Sequence, residues 1–141
     1  MKTEKYIEVA FAHLTEPNLT SKKTLFRDVE RFYRCLSEFC GVHLRAVRGF
    51  ELGNTHEHGI VLCRECEVAQ FYKRFEKFQK SKAWTHKTIQ LDVFDHARRE
   101  KAYEYTLVKH EPVSPIESRE YFCPKKYHRC RKGKCTHIPA T

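Results

Sequence analysis

The sequence predicts an α+β fold in which a central antiparallel sheet is flanked by helices and followed by a short Cys/His-rich tail. Three observations carry this expectation. Segments follow one another as strand, helix, strand, strand, helix, strand, helix, without the strict alternation of a parallel doubly wound sheet. Two of the segments carry apolar residues at helical spacing. Between the second and third strands, Gly53-Asn54 has turn chemistry and sets up a hairpin.

Taken in order, Tyr6 to Leu14 is rich in strand formers and alternates imperfectly, which reads as the first strand, ended by the polar run Thr15 to Lys23. Leu25, Val29, Phe32, Leu36 and Phe39 then recur on one helical face, with Ser21 or Thr20 as the N-cap and Gly41 as the stop. Val42 to Leu52 and His56 to Cys63 are the two arms of the hairpin. A second helix has Val68, Phe71, Phe75 and Phe78 on one face and Lys73, Arg74, Lys77 and Lys80 on the other. Thr88 to Phe94 is a further strand, and Asp95 can cap a third helix from about Ala97 to His110. Pro112 and Pro115 stop the order there, so one domain is expected over 1–112, with a basic Cys/His-rich tail over 113–141.

A chain of 141 residues can bury one core but not two ordinary ones. With Lys+Arg 27 against Asp+Glu 18, a net charge of +9 and a pI near 9.3, a polyanionic partner is favoured over an acidic small substrate. Nucleic acid leads that class. No stretch approaches the ~20 apolar residues of a membrane span, and Met1 to Lys5 carries no apolar signal region, so a soluble intracellular protein with no membrane partner is expected. Seven cysteines, an odd number, argue for reduced thiols rather than a paired disulfide framework.

The chemistry concentrates at the hairpin and the third helix. On a strand, His56 and His58 project from one face, as two ligands of one cation require. Glu51, on the preceding arm, can reach them by cross-strand pairing; otherwise it balances Arg45 or Arg48. Two imidazoles and a carboxylate with open positions suit Mg²⁺ or Mn²⁺ when a substrate phosphate completes the shell. At about 100° per residue, Tyr105 shares a helical face with Lys109, whereas Tyr103 turns away and reads as a second nucleophile or a core aromatic. An ammonium near a phenol of pKa ~10 favours the phenolate and offsets charge on a pentavalent phosphorus.

From about Tyr6 to His110 the chain resembles the HUH endonucleases, specifically the rolling-circle replication initiators (Rep proteins) of small single-stranded DNA viruses and plasmids. The likeness rests on His56-Glu57-His58-Gly59, on Glu51 a few residues earlier, and on Tyr105-Thr-Leu-Val-Lys109, similar to the Tyr-x-x-x-Lys form of parvovirus-type initiators. Two positions depart from the family pattern. Glu57 stands where the family has a hydrophobic residue, and the opening-strand motif is only loosely matched in Val9 to Leu14, so His13 is assigned no role.

The resemblance implies metal-assisted nicking and joining of single-stranded DNA at an origin stem-loop, through a 5′-phosphotyrosine intermediate and a free 3′-hydroxyl. It assigns Tyr105 and Lys109 to catalysis and Glu51, His56 and His58 to the metal. It further implies a helicase in a continuation or a partner, since the chain has no phosphate-binding G-x-x-x-x-G-K-[ST] loop. For a eukaryotic virus the host nucleus would be the site of action. Arg45, Arg48, Lys73 and Lys77 are candidate DNA contacts.

In the tail, Cys123, Cys130, Cys135 and His137, with His128 as an alternative, offer donors for one structural Zn²⁺ amid lysines and arginines. The other possibility for this segment is a basic tail with free thiols. Cys63-x-x-Cys66 has no second pair nearby in sequence and reads as ordinary thiols. Two other functional classes fit the same charge: a non-catalytic viral origin-binding domain, and a zinc-dependent nucleic-acid-binding regulator acting through the tail.

Overall fold

A computed structural model describes residues 5–15, 21–51, 56–81 and 88–124. The first strand, β1, spans Tyr6–Thr15 and is followed by helix α1, Lys22–Cys40. Ser21 caps α1 by accepting the Thr24 N–H at 3.2 Å. Gly41, at φ 69°, ends it in the left-handed conformation that glycine adopts without strain, its N–H donating to the Ser37 carbonyl at 2.8 Å. Both caps match the sequence expectation. Strand β2 spans Leu44–Glu51, two residues later than predicted, because Val42 donates back to the Ser37 carbonyl and completes the cap.

Strand β3, His56–Arg64, pairs antiparallel with β2 from Leu44↔Cys63 to Glu51↔His56. The predicted hairpin therefore forms; its turn, Gly53-Asn54, lies outside the described residues. Helix α2, Val68–Lys80, buries Phe71, Phe75 and Phe78. Strand β4, Thr88–Val93, adds to β1, and a 3-10 turn at His96–Arg98, capped by Asp95, leads into helix α3, Arg99–Leu107. That helix is shorter than predicted. The Glu104 carbonyl accepts from both Val108 (2.8 Å) and Lys109 (3.0 Å), which closes the helix early.

Two short strands, β5 (Glu111–Pro112) and β6 (Tyr121–Phe122), both pair with β2. The sheet order is β4-β1-β3-β2-β5, with β6 beside β5 along the same strand, so β3 is central. The fold thus continues past the predicted boundary at Pro112: Phe122 is buried in the main core, with Val113 packed against it. A two-residue strand carries no periodicity, which is why the sequence did not announce it.

Alternation along β3 divides the molecule. Val61 and Cys63 face α1 and α2 and join the main core with Leu25, Phe32 and Phe75. Ile60 and Leu62 face α3 and form a second, smaller cluster with Phe94, against which Phe11, Val47 and Tyr103 pack. Across β1 the register shifts between Glu8 and Ala10, a bulge at Val9. Before it, Glu8 lies opposite Leu62; after it, Phe11 lies opposite Ile60 and His13 opposite His58. The extra residue moves the odd-numbered residues of the second half onto the α3 face. No described helix is long and apolar enough to cross a membrane.

Candidate active site

At the end of β3 nearest the hairpin turn, His56 and His58 follow Ile60 and Leu62 onto the α3 face. Each flanking strand adds a donor. His13 stands opposite His58 on β1, with ring centroids 4.2 Å apart, and Glu51 stands opposite His56 on β2. Gly49, opposite His58, leaves room for the helix: a Cβ there would lie 1.8 Å from the Thr106 carbonyl oxygen. Only glycine therefore allows α3 to rest on the strand beside the histidines.

That contact brings Tyr105 to the site. Its ring centroid lies 4.7 Å from that of His58, and the residue is 44% exposed. Past the helix end the chain folds back, and His110 donates from Nδ1 to the Tyr105 carbonyl at 2.7 Å. Its other nitrogen, Nε2, lies 2.9 Å from Nε2 of His56.

Among the described residues, two groups of donors therefore share His56: His13, His56 and His58, and Glu51, His56 and His110. Within each group the ligand atoms lie within 4.8 Å of one another.

The donor set fits a divalent cation. Both ring nitrogens of His58 are buried with no hydrogen-bond partner among the described residues, a condition that costs free energy unless a ligand takes it up. Two nitrogens 2.9 Å apart have the separation of adjacent ligands at right angles on an ion held at roughly 2.0–2.1 Å. Burial, reinforced by the neighbouring His13, His110 and His56, pushes His58 down to about 3. His56 is lowered by burial, His110 and His13, against the pull of Glu51; His13 is lowered by burial and His110. At neutral pH these three rings are uncharged and present lone pairs.

The predicted site residues divide accordingly. The predicted triad of Glu51, His56 and His58 is split: His56 lies in a group with each, but Glu51 and His58 fall in separate groups, and Tyr105 packs on His58. Lys109 is exposed and lies beyond the end of α3, so the helical phase that placed it beside Tyr105 does not reach it. Tyr103 packs into the smaller apolar cluster and donates its hydroxyl to Glu8 at 2.8 Å; burial and that carboxylate push it up to about 12. Of the two readings, this packing favours the core aromatic over the second nucleophile.

Glu57 points to the opposite face, fully buried, where Arg48 grips it through Nε (2.7 Å) and Nη2 (2.9 Å). Arg48, 3% exposed, is thereby removed from the candidate DNA contacts, as it also donates to Ser118 and to the Arg119 carbonyl. Glu51 consequently does not serve as the partner of Arg48. Arg45 pairs with Glu120 at 3.5 Å. Lys73 and Lys77 are exposed on α2, across the sheet from the histidines. Cys63 is buried and Cys66 exposed. Of the tail donors only Cys123 is described; Cys130, Cys135, His137 and His128 lie outside the described residues.

Two members of the site escaped the sequence. His13 lies in the loosely matched opening-strand motif but required knowledge of the bulge at Val9, and His110 required the reversal after α3. No known protein family, curated protein sequence or solved structure matches the chain.

Proposed function

We propose that this chain is an HUH-type endonuclease and ligase that nicks and joins single-stranded DNA through Tyr105. The observation that carries the reading is the convergence of a half-exposed tyrosine with buried, unpartnered imidazole nitrogens on one sheet face. A structural tyrosine has no use for such neighbours, whereas a phosphotransfer nucleophile does.

His13, His56 and His58, with Glu51 and His110 on the other side of His56, would hold the cation. An imidazole-rich set favours Mn²⁺ over Mg²⁺, whose preferred ligands are oxygens. Bound there, the ion supplies Lewis acidity at a phosphate oxygen. Tyr105 Oη attacks the phosphorus; the Oη–P bond forms as the P–O3′ bond breaks, the phenolic proton passes to solvent, and the departing O3′ takes up a proton to leave a 3′-hydroxyl. Joining is the reverse, with a 3′-hydroxyl displacing the tyrosine. Lys109, adjacent in sequence to His110, remains the candidate for offsetting charge on the phosphorus.

His110 ties the nucleophile to the donor set, since one ring reaches both the Tyr105 carbonyl and His56. In this reading the nick opens an origin for rolling-circle or rolling-hairpin replication, with helicase activity supplied by a partner or a further domain.

The test is covalent capture. The full chain, incubated with a mixed-sequence single-stranded DNA library and Mn²⁺, is expected to give a denaturant-resistant protein–DNA adduct that chelator abolishes. DNA retention that is unchanged by chelator and never yields adduct would instead identify a non-catalytic origin-binding module.

A further inference from the structure

Beside Tyr105, residues of β4, of the turn after it and of α3 line an open groove of ≈ 470 Å³. This is within the roughly 300–1,000 Å³ of small-molecule sites. Its floor is apolar: Phe11, Phe94 and Ala102. Val93, 57% exposed, extends that apolar surface at the rim. Polar groups of two kinds surround it. Arg98 and Lys101 are exposed cations, and Asp92 and Asp95 are exposed carboxylates. Tyr105 itself lines the groove, so whatever occupies it lies against the nucleophile.

An apolar floor that includes aromatic rings, with hydrogen-bond acceptors at one edge and cations at another, matches an unstacked nucleobase and its phosphates. The acceptors define which base. Asp92 uses Oδ2 to take the Gln90 amide and Asp95 uses Oδ1 to cap Ala97, which leaves each a second carboxylate oxygen able to accept from a ligand. Carboxylates accept from exocyclic amines, such as N4 of cytosine, and repel the O4 carbonyl that thymine presents at the same place.

We propose that this groove is a base-specificity site that holds, next to the phosphate attacked by Tyr105, a nucleotide whose base carries an exocyclic amino group. The assignment rests on the nicking reading for its position relative to the reaction, but its base preference is separately measurable. Arg98 and Lys101 take the flanking phosphates, and Asp92 with Asp95 reads the amino edge.

Cytosine and thymine homopolymers of about 15 nucleotides, long enough to cover one protein, test it on the full chain by fluorescence anisotropy without added metal. The dC strand is expected to bind roughly tenfold more tightly than the dT strand. Combining Asp92→Asn with Asp95→Asn should erase that preference, chiefly by raising dT binding once two carboxylates no longer repel its O4 carbonyl and phosphates. Ala102→Trp, which fills the groove, should bring dC down to the dT level; the two surface substitutions keep the test decisive should the tryptophan prevent folding. Equal affinity for both strands in the wild type, or a preference that survives the paired asparagines, overturns the proposal. Covalent adduct without base preference sinks the groove alone, whereas base preference without adduct sinks the nicking chemistry and leaves the base site.

Discussion

Glu57 and His58 are neighbours in the chain, and β3 sends them to opposite faces of the sheet. Under α1 and α2, Glu57 is closed off: Arg48 donates to both its oxygens, and the same guanidinium reaches Ser118, whose hydroxyl donates to Glu30. Under α3, His58 is equally hidden from water, yet both its ring nitrogens lack a hydrogen-bond partner among the described residues. One buried polar group is satisfied by the protein itself. The other would be satisfied by the proposed cation. Under the proposed function the contrast separates a polar residue that serves architecture from one that serves chemistry, although burial alone makes them look alike.

Substitutions can break or sharpen that contrast. The largest effect is expected for Tyr105→Phe, which should reduce adduct formation to background on a denaturing gel while leaving the thermal melt in place. Adduct formed by this variant would remove Tyr105 as nucleophile.

Next comes the closed face. Glu57→Ala strands a buried guanidinium and should cost about 3–5 kcal/mol in urea unfolding, with much of the loss recovered by pairing Glu57→Leu with Arg48→Met. A loss under about 1 kcal/mol would mean that water already reaches the pair.

His58→Leu, one residue on, should behave in the opposite way. Removing an unpartnered imidazole should hold stability within about 1 kcal/mol of the wild type, while Mn²⁺ affinity by titration calorimetry falls at least roughly tenfold. Unchanged affinity would exclude His58 from the donor set.

The smallest effect is expected for Tyr103→Phe. Glu8 keeps its hydrogen bond from Arg99 at 2.9 Å, so the loss should be about 1.5 kcal/mol, with adduct yield within about twofold of the wild type. An adduct-deficient Tyr103→Phe would return that residue to the reaction.

Much of this was legible in the chain. Ser21 and Gly41 bracket α1 as capping rules require, and the hairpin register follows from a short turn between two strand-forming runs. Glu51 could be placed beside His56, and His58 on the same face, because all three lie within one hairpin, where pairing is local, although Glu51 and His58 fall in separate donor groups. Helical phase favoured Tyr105 over Tyr103 through a face shared with Lys109, a premise that fails because the helix ends where the Glu104 carbonyl is shared; Tyr105 meets His58 through the contact at Gly49 instead.

What stayed hidden depended on contacts distant in sequence. The bulge at Val9 reverses the phase of β1 and delivers His13. Arg48 finds Glu57 diagonally across the hairpin, a pairing that two charges in a sequence do not reveal without register. The strands β5 and β6 exist only because β2 offers an edge to them.

The close approach at Gly49 reaches beyond this molecule. Because a single methyl group there would collide with the Thr106 carbonyl, that glycine belongs to the signature by which kindred genomes can be screened. Gly49-x-Glu51, four residues, then His56-x-His58-Gly59 forms one readable string, more selective than the histidine pair alone. A sequence that keeps both histidines but places a larger residue at the first position must carry its tyrosine helix elsewhere, and should be sorted into a different lineage of sites.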